Sequence, residues 1–345
     1  MPENPSLLHV VGRTADGRIL HTMRSPTGWT AFTNVLQAAG LAGLSGQAVD
    51  VSCVRMPPGG AFADGLYVLV AFGDGPPRLL RRAPDPVGTF QQMPVPPFPV
   101  ARRVAVTFAR SVASGAEMTR SFLHTAVVTD DGHLLVAMQD APGSAAVVPF
   151  DVEGAAGDRG ELRAAALRPA EALDVAGPLD VELVAVGADG RIFHTSGHES
   201  TWSFLADLDT TAGPGARPGD VLDAGIALSA LVANYVIVVG DGQAWLARLA
   251  LDTGTWTLRW RDLEVSSATF TGGPGVGGTF DAVFDVGTFN RITTGSTTEG
   301  LHVLGTTTDG RLWHQLRVGT QPIFRDVERF GVGQVVGPFT AVACG

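Results

Sequence analysis

The chain of 345 residues contains no lysine, so all 24 of its cationic side chains are arginine, and its formal net charge is -10. Proteins that bind nucleic acid neutralise phosphates with clusters of Lys and Arg, and an acidic chain without a lysine-rich arm is unsuited to that role. The composition therefore argues against nucleic acid as a partner.

Cysteine is also scarce. Cys53 and Cys344 are too few for a disulfide framework, and they lack the paired spacing of a zinc site. We expect both to be reduced, buried thiols.

Long apolar runs are absent as well, because no segment reaches the roughly 18 apolar residues that a membrane span needs. Residues 1–8 do not combine a basic region with an apolar core, as a secretory signal would. The sequence as written predicts a protein without a membrane span and with a cytoplasmic location. Leaderless export and a removed signal stay open.

Glycine and proline are abundant, with 44 and 22 residues, whereas charged residues make up only 17% of the chain. This composition is typical of many short strands joined by tight turns. The turns recur at Asp-Gly pairs whose glycines are 58, 57, 58, 52 and 68 residues apart, namely Gly17, Gly75, Gly132, Gly190, Gly242 and Gly310. A period in this range indicates one supersecondary unit that stacks on copies of itself.

Four segments with strand character surround each Asp-Gly pair. In the last copy they are Phe280–Val286, Leu301–Thr306, Arg311–Leu316 and Ile323–Val327, and the Gly-rich segment Thr271–Thr279 before them reads as a loop. Asp-Gly supplies the positive φ of a tight hairpin between the second and third strands. Six such units predict an all-β, six-bladed β-propeller with four antiparallel strands in each blade.

The two ends of the chain are predicted to close the ring. The first copy lacks an innermost strand, and the chain ends on an orphan strand, Phe339–Cys344, that is expected to complete it and to remove an open sheet edge. Residues 1–345 then form one domain, with approximate blades at 6–36 plus 338–345, 48–97, 102–153, 161–209, 221–264 and 279–330.

Polar side chains recur in register with the hairpins. Eight residues before each glycine stand His9, Tyr67, His124, Glu182, Asn234 and His302. Four residues after it stand His21, His194 and His314, with Arg81 in the second blade if Pro76 and Pro77 are an insertion, and with Val136 and Leu246 in two other blades. Two interpretations stay open: these side chains satisfy buried backbone groups, or they form ligand sites around the ring.

Tryptophan recurs on the outer strands. Trp29, Trp202 and Trp256 open the fourth strand of blades one, four and five, and Trp313 lies on a third strand. These indoles either pack in the core or present a face on which a sugar stacks while nearby Arg, His or Asn side chains hold its hydroxyls.

One stretch carries a family resemblance. The segment from Leu301 to His314 reads Leu-His-Val-Leu-Gly-Thr-Thr-Thr-Asp-Gly-Arg-Leu-Trp-His, and Phe324-Arg325-Asp326-Val327 follows it. It resembles the blades of the bacterial propeller lectins of the Photorhabdus lectin type, and the tectonin repeats are a looser likeness. The resemblance covers blades one, four and six, and it implies fucose-type glycan sites between blades.

Signatures of enzymes were sought on the same chain. No Gly-x-Ser-x-Gly elbow, His-Glu-x-x-His helix or phosphate-binding Gly loop occurs. A channel site built from distant strands needs no local motif, however, and Asp50, Asp223, Asp281 and Asp285 lie where they could face the axis and hold Ca²⁺ or share a proton.

The sequence thus favours a non-catalytic, lectin-like binding module for a glycan or another small molecule, with no catalytic residue, metal or cofactor assigned. The ligand-site candidates are His21, His194, His314, Trp29, Trp202, Trp256, Trp313 and Arg81. An enzyme with its active site at one mouth of the channel is the alternative, and a protein-interaction scaffold is the third hypothesis.

Overall fold

The computed structural model describes residues 7–44, 46–56, 64–83, 88–112, 119–140, 148–169, 181–198, 201–211, 219–229, 233–250, 255–263, 288–297, 300–317 and 324–345. These residues form six antiparallel sheets arranged as the blades of a β-propeller. The six-bladed, all-β prediction is confirmed.

The strands follow one another blade by blade along the chain. Blade one contains β1 (Leu8–Thr14), β2 (Ile19–Ser25), β3 (Gly28–Trp29) and β4 (Thr33–Asn34). Blade two contains β5 (Ala48–Met56), β6 (Gly65–Phe72), β7 (Gly75–Arg82) and β8 (Phe90–Met93). Blade three contains β9 (Ala101–Val112), β10 (Thr119–Thr129), β11 (Leu134–Gln139) and β12 (Phe150–Asp151).

The second half repeats the plan. Blade four contains β13 (Leu162–Pro169), β14 (Val181–Gly187), β15 (Ile192–His198), β16 (Thr201–Trp202) and β17 (Ala206–Asp207). Blade five contains β18 (Val221–Ser229), β19 (Ala233–Gly240), β20 (Gln243–Ala250) and β21 (Thr255–Asp262). Blade six contains β22 (Phe289–Thr297), β23 (Gly300–Thr307), β24 (Leu312–Arg317) and β25 (Arg325–Asp326), and the chain ends on β26 (Phe339–Cys344).

The last strand of the chain completes the first blade. β26 pairs antiparallel with β1, and Val342 lies opposite Gly12. Beyond the ladder, the His9 amide donates to the Gly345 carbonyl at 3.0 Å, and the Gly345 amide donates back to His9 at 3.1 Å. The predicted closure is therefore confirmed, and the inner edge of β1 is paired rather than open.

The core consists of apolar clusters that lie between neighbouring blades. The described residues form six such clusters. Leu304 of blade six, for example, packs with Leu8 and Phe339 of blade one. Since every blade is buried on both faces, strands such as β6 are apolar throughout, as expected of doubly covered strands.

Four-residue or five-residue helices follow some outer strands. α1 (Val35–Ala38), α2 (Val152–Ala156) and α3 (Leu208–Thr211) lie in the connections between blades, with a 3₁₀ turn at Ala42–Leu44 and a π-helical turn at Val327–Val332. Asn34 and Asp151 cap the first two through their side chains. The fourth strands predicted to open at Trp29 and Trp202 are consequently short, because each is split into two two-residue strands. No helix in the described part of the chain is long and apolar enough to cross a membrane.

Five of the six Asp-Gly glycines have positive φ values, between 76° and 86°, as a tight hairpin requires. Blade two differs, because Gly75 pairs with Phe72 and the turn is formed by Gly73 and Asp74. The prediction that Asp74-Gly75 makes this turn is wrong by one residue, since this two-residue turn is shorter than the turns of blades one, three, four and six.

The innermost strand of blade six also lies elsewhere than predicted. β22 pairs with β23 along its full length, so it occupies the place assigned to Phe280–Val286. That segment, the Thr271–Thr279 loop, Asp281 and Asp285 lie outside the described residues. The position was mispredicted because the connection to blade six is longer than those between other blades.

Gly310 provides a test of the turn argument. An alanine there would keep φ at +82° and would also place its Cβ against the ring of Pro338. We expect Gly310→Ala to lower the free energy of unfolding by about 2 kcal/mol or more. Gly40→Ala is the matched control, because Gly40 has φ of +71° and no atom within 4 Å of an added Cβ. Thermal unfolding that ranks the two equally would contradict the account.

Candidate ligand-binding clefts between the blades

A ring of polar and aromatic side chains lies at the blade interfaces, at the ends of the second strands away from the hairpins. The innermost strand of each blade contains a β-bulge, and aligning the blades on it gives the ring positions His9, Tyr67, His124, Glu182 and His302. In blade five the same register position is Tyr235, whose side chain is outside the described residues. Asn234 was predicted for blade five. That prediction is wrong by one residue, because Gly240 pairs with Gln243 around a two-residue turn.

In blade six, this position forms a buried histidine dyad. His302 Nδ1 lies 2.9 Å from His314 Nε2, the rings are stacked with centroids 5.2 Å apart, and His302 Nε2 contacts Thr297 Oγ1 at 2.9 Å. The edge of Trp29 from blade one approaches His314 with centroids 5.4 Å apart. Burial, with Arg24 nearby, lowers the pKa of His302 to about 3.

Blade one repeats this dyad. His9 Nδ1 lies 2.9 Å from His21 Nε2, and Phe90 of blade two takes the place of Trp29 with centroids 5.8 Å from His21. Burial first, then His9 and Arg82, hold the pKa of His21 well below its ordinary value. His21 and His314 are 4% and 7% exposed, so they present little surface to a ligand.

Blade four has an acid in place of the first histidine. Glu182 Oε2 lies 2.5 Å from His194 Nε2, and these side chains keep 14% and 16% of their surface exposed. Arg168 lies opposite Glu182 on the innermost strand. The cleft between blades four and five is therefore more accessible than those lined by the histidine dyads.

An arginine that the sequence reading missed accompanies Trp29. Arg24 pairs with Leu8 on one side and with Trp29 on the other, so it borders the cleft between blades six and one. Both Arg24 and Trp29 are partly exposed. The signal was present in the sequence, because seven residues after each hairpin glycine stand Arg24, Arg82, Gln139, Gly197, Leu249 and Arg317.

The remaining candidates are scattered. Trp202 and Trp313 are 9% and 2% exposed and belong to the core between blades three and four and between blades five and six. Trp256 lies on β21, and its side chain is outside the described residues. Arg81 faces Tyr67 and donates to the Asp64 carbonyl, whereas Leu79 holds the register position of His21 in blade two. The structure thus brings Trp29 and His314 into contact, but the eight candidates do not form one site.

The central channel contains a ring of two acids and two arginines. Each of these four residues is the first after the β-bulge of its innermost strand. In blades one to six, that position is occupied by Ala341, Asp50, Arg103, Ala164, Asp223 and Arg291. The Ala-Asp-Arg order therefore occurs twice. Four of these side chains, from Asp50, Arg103, Asp223 and Arg291, form what we call the channel quartet.

Ion pairs connect the quartet across the blades. Arg291 lies 3.4 Å from Asp50 and 3.8 Å from Asp223, and Arg103 lies 3.7 Å from Asp50. Asp50 also accepts from the Val104 amide of blade three. Asp223 does the same for the Ile292 amide of blade six. The acids thus satisfy the open edges of the innermost strands.

Burial decides how the acids of the quartet titrate. It raises the pKa of Asp223 to about 7 and raises the pKa of Asp50, in both cases against the arginines and the amides. Within the described residues, no three His, Cys, Asp or Glu side chains are grouped as a metal site would require.

No protein-family model matches the chain, and no curated protein matches it. Among solved structures, a variant of AofleA from Arthrobotrys oligospora is similar with a TM-score of 0.58 and 10% identity, covering 98% of this chain and 86% of that one. The Aleuria aurantia lectin in complex with Fucα1-6GlcNAc has a TM-score of 0.56 and 12% identity, covering 92% and 91%.

The SapL1 lectin in complex with alpha methyl fucoside has a TM-score of 0.50 and 11% identity, covering 97% of this chain and 94% of that one. Identities this low establish the fold and nothing finer. The chain shares the β-propeller architecture of these proteins, two of which are lectins solved with fucosides.

Proposed function

We propose that this propeller is a non-catalytic glycan-binding protein whose sites lie in clefts between blades, on the side of the ring away from the Asp-Gly hairpins. The observation that carries the proposal is the cleft between blades six and one. There a partly exposed indole, Trp29, stands against the buried His314 with Arg24 paired beside it.

The chemistry of this cleft suits a sugar. The flat face of an indole packs against the C–H face of a pyranose, and a guanidinium donates several hydrogen bonds to hydroxyls. The stacked histidines below hold the Trp29 ring in place, so little side-chain entropy remains to be lost on binding.

A second site is proposed in the cleft between blades four and five. Its Glu182 carboxylate accepts hydrogen bonds from hydroxyls, and His194 orients that carboxylate. The cleft between blades one and two is closed, because Arg82 and Phe90 are 8% and 4% exposed. We therefore propose fewer than six sites, with avidity for a glycan-coated surface arising from their fixed spacing on one ring.

The structural neighbours support the ligand class. The Aleuria aurantia lectin and SapL1 are solved with fucosides, and their propeller architecture extends over more than nine-tenths of this chain. A glycan array that includes fucosylated and non-fucosylated sugars is the direct test. Binding to a defined set of glycans supports the proposal, and signals at background for every sugar overturn it.

Trp29→Ala locates the site. We expect the variant to lose at least about tenfold in affinity for the best glycan, equivalent to about 1.4 kcal/mol, because the stacking surface is removed. Phe204→Ala is the matched control, since Phe204 is 66% exposed and lies on Arg159 outside these clefts. Titration calorimetry with equal losses in the two variants would refute the assignment to Trp29.

A further inference from the structure

The two histidine dyads lie on the two sides of blade one, which is the blade that closes the ring. His302 and His314 face blade one from blade six, and His9 and His21 face blade two from blade one. His9 and His302 are fully buried, and their partners are nearly so. Whatever loosens these dyads acts on both interfaces of the closing blade.

The geometry of each dyad limits the number of protons that it can bind. A single hydrogen lies between Nδ1 of one ring and Nε2 of the other, at 2.9 Å in both dyads. A dyad can take one further proton and keep this bond. A second further proton would place an N–H group on both facing nitrogens. This breaks the hydrogen bond and leaves two like charges in contact.

Charged groups disfavour protonation of three of the four histidines. Arg24 of blade one and Arg325 of β25 act on His314, and Arg24 acts on His302. Arg82 of blade two acts on His21. Together with burial, these guanidiniums hold the pKa values of His21, His302 and His314 below that of a free imidazole.

In the unfolded or opened chain these histidines bind protons that they do not bind in the closed ring. A histidine with a lowered folded pKa contributes its full stability above about pH 6.5, and that contribution is lost as the pH falls. Blade four has no such dyad, because Glu182 stands in place of the first histidine, with its Oε2 2.5 Å from His194 Nε2. The interface between blades four and five therefore serves as a comparison for the two interfaces of blade one.

We propose that the two histidine dyads form an acid-sensitive latch on blade one, so that acidification to about pH 5 opens the interfaces of blade one before that between blades four and five. The closing strand β26 pairs with β1 and packs against β22 and β23 of blade six and β5 of blade two, so both interfaces of blade one reach it and we take it as the element released. This inference concerns ring closure and does not rest on the proposed glycan binding.

Cys344 on β26 is a natural reporter of the opening. It is 6% exposed, and its sulfur lies against Gly295 of blade six. In a Cys53→Ala protein it is the only thiol, so its rate of reaction with a pyridyl disulfide measures how often β26 leaves its place. We divide this rate at each pH by the rate of the same protein unfolded in denaturant, because the reactivity of the thiolate itself falls with pH. We expect the ratio to rise at least about tenfold between pH 7.5 and pH 5.

Ile226 supplies the matched reporter for the other side of the ring. On blade five, Ile226 occupies the register position that Cys53 occupies on blade two. It is 4% exposed and packs in the core between blades four and five. Ile226→Cys in a protein lacking both natural cysteines is expected to stay protected at pH 5. If Cys344 and the reporter at position 226 become reactive together, or if neither does, the latch is overturned.

A second set of variants removes the dyads themselves. His302→Tyr with His314→Leu, and His9→Tyr with His21→Leu, copy the Tyr67 and Leu79 that blade two has at these positions. The blade-one swap is expected to remove at least about one proton from the pH dependence of unfolding, seen as an at least about tenfold smaller rise in the unfolding constant per pH unit below pH 6. The blade-six swap is expected to remove about two protons, an about hundredfold smaller rise, because the pKa values of both its histidines are lowered. An unchanged pH dependence in both swaps would contradict the latch.

Discussion

A chain that ends at residue 337 is expected to lose more than about 5 kcal/mol of unfolding free energy and to aggregate when it is produced. The missing strand β26 contains Phe339, Ala341, Val342, Ala343 and Cys344, each at most 7% exposed. Burial of large apolar side chains is worth about 1.5–3 kcal/mol each, and the whole stability of a domain is about 5–15 kcal/mol. The shortened chain would also leave β1 as an open edge.

A single substitution tests the same closure without removing residues. Val342→Asp places an unpaired carboxylate between blades six and one, and we expect a loss of about 3–5 kcal/mol by thermal or denaturant unfolding. Val335→Asp is the control, because Val335 is 72% exposed and lies just before the strand. Similar unfolding midpoints for the two variants would show that β26 does not close the ring.

Arg291→Met is expected to have the second-largest effect, a loss of about 3–5 kcal/mol at pH 8. Arg291 is the arginine that touches both acids of the channel quartet. Its removal leaves Asp50 and Asp223 buried with Arg103 as their remaining partner in the quartet, and an uncompensated buried charge costs far more than a lost surface pair. Methionine keeps much of the volume of the arginine stem.

The pH dependence of this loss has a definite sign. Burial already raises the pKa of Asp223 to about 7. Removing the guanidinium of Arg291, which lies 3.8 Å from Asp223, favours the protonated acid further. An acid whose folded pKa is raised is stabilised in its protonated form, so that stability is present in acid and is lost as the pH rises through the folded pKa. The loss caused by Arg291→Met, measured against the natural protein at each pH, is therefore larger at pH 8 than at pH 5.5.

Arg18→Met is the control for the quartet. Arg18 pairs with Asp16 at 2.8 Å, but these side chains are 38% and 59% exposed, and surface pairs contribute little. Denaturant unfolding at the two pH values should find a far smaller loss for Arg18→Met. A loss for Arg291→Met that is as small, or that grows toward acid pH, would contradict the role given to the quartet.

The sequence was sufficient for the fold because the hairpin is a local event. In five of the six blades Asp-Gly supplies the positive φ that a tight turn needs after a buried strand, and the six pairs give the number of blades. The same counting misplaced the first turn residue of blade two and the ring position of blade five. A hairpin shorter by one residue shifts every position behind it, and nothing in the pair itself reveals its length.

The candidate site was only partly predictable. Counting from the glycines found the histidines and Trp29, but whether a ring is exposed depends on the neighbouring blade. His21 and His314 are covered by Phe90 and Trp29, which come from other repeats. Asp50 and Asp223 of the channel quartet were predicted to face the axis, but Arg103 and Arg291 were not. Loops of unequal length separate the innermost strands from the hairpins, so the four residues have no constant spacing from the glycines.

The most direct test of the account is a crystal structure of the protein with the best glycan from the array. We predict that the sugar lies between blades six and one, with its ring on Trp29 and its hydroxyls within hydrogen-bond distance of Arg24. A sugar bound in the central channel beside the quartet, or on the face that carries the Asp-Gly hairpins, would contradict the account.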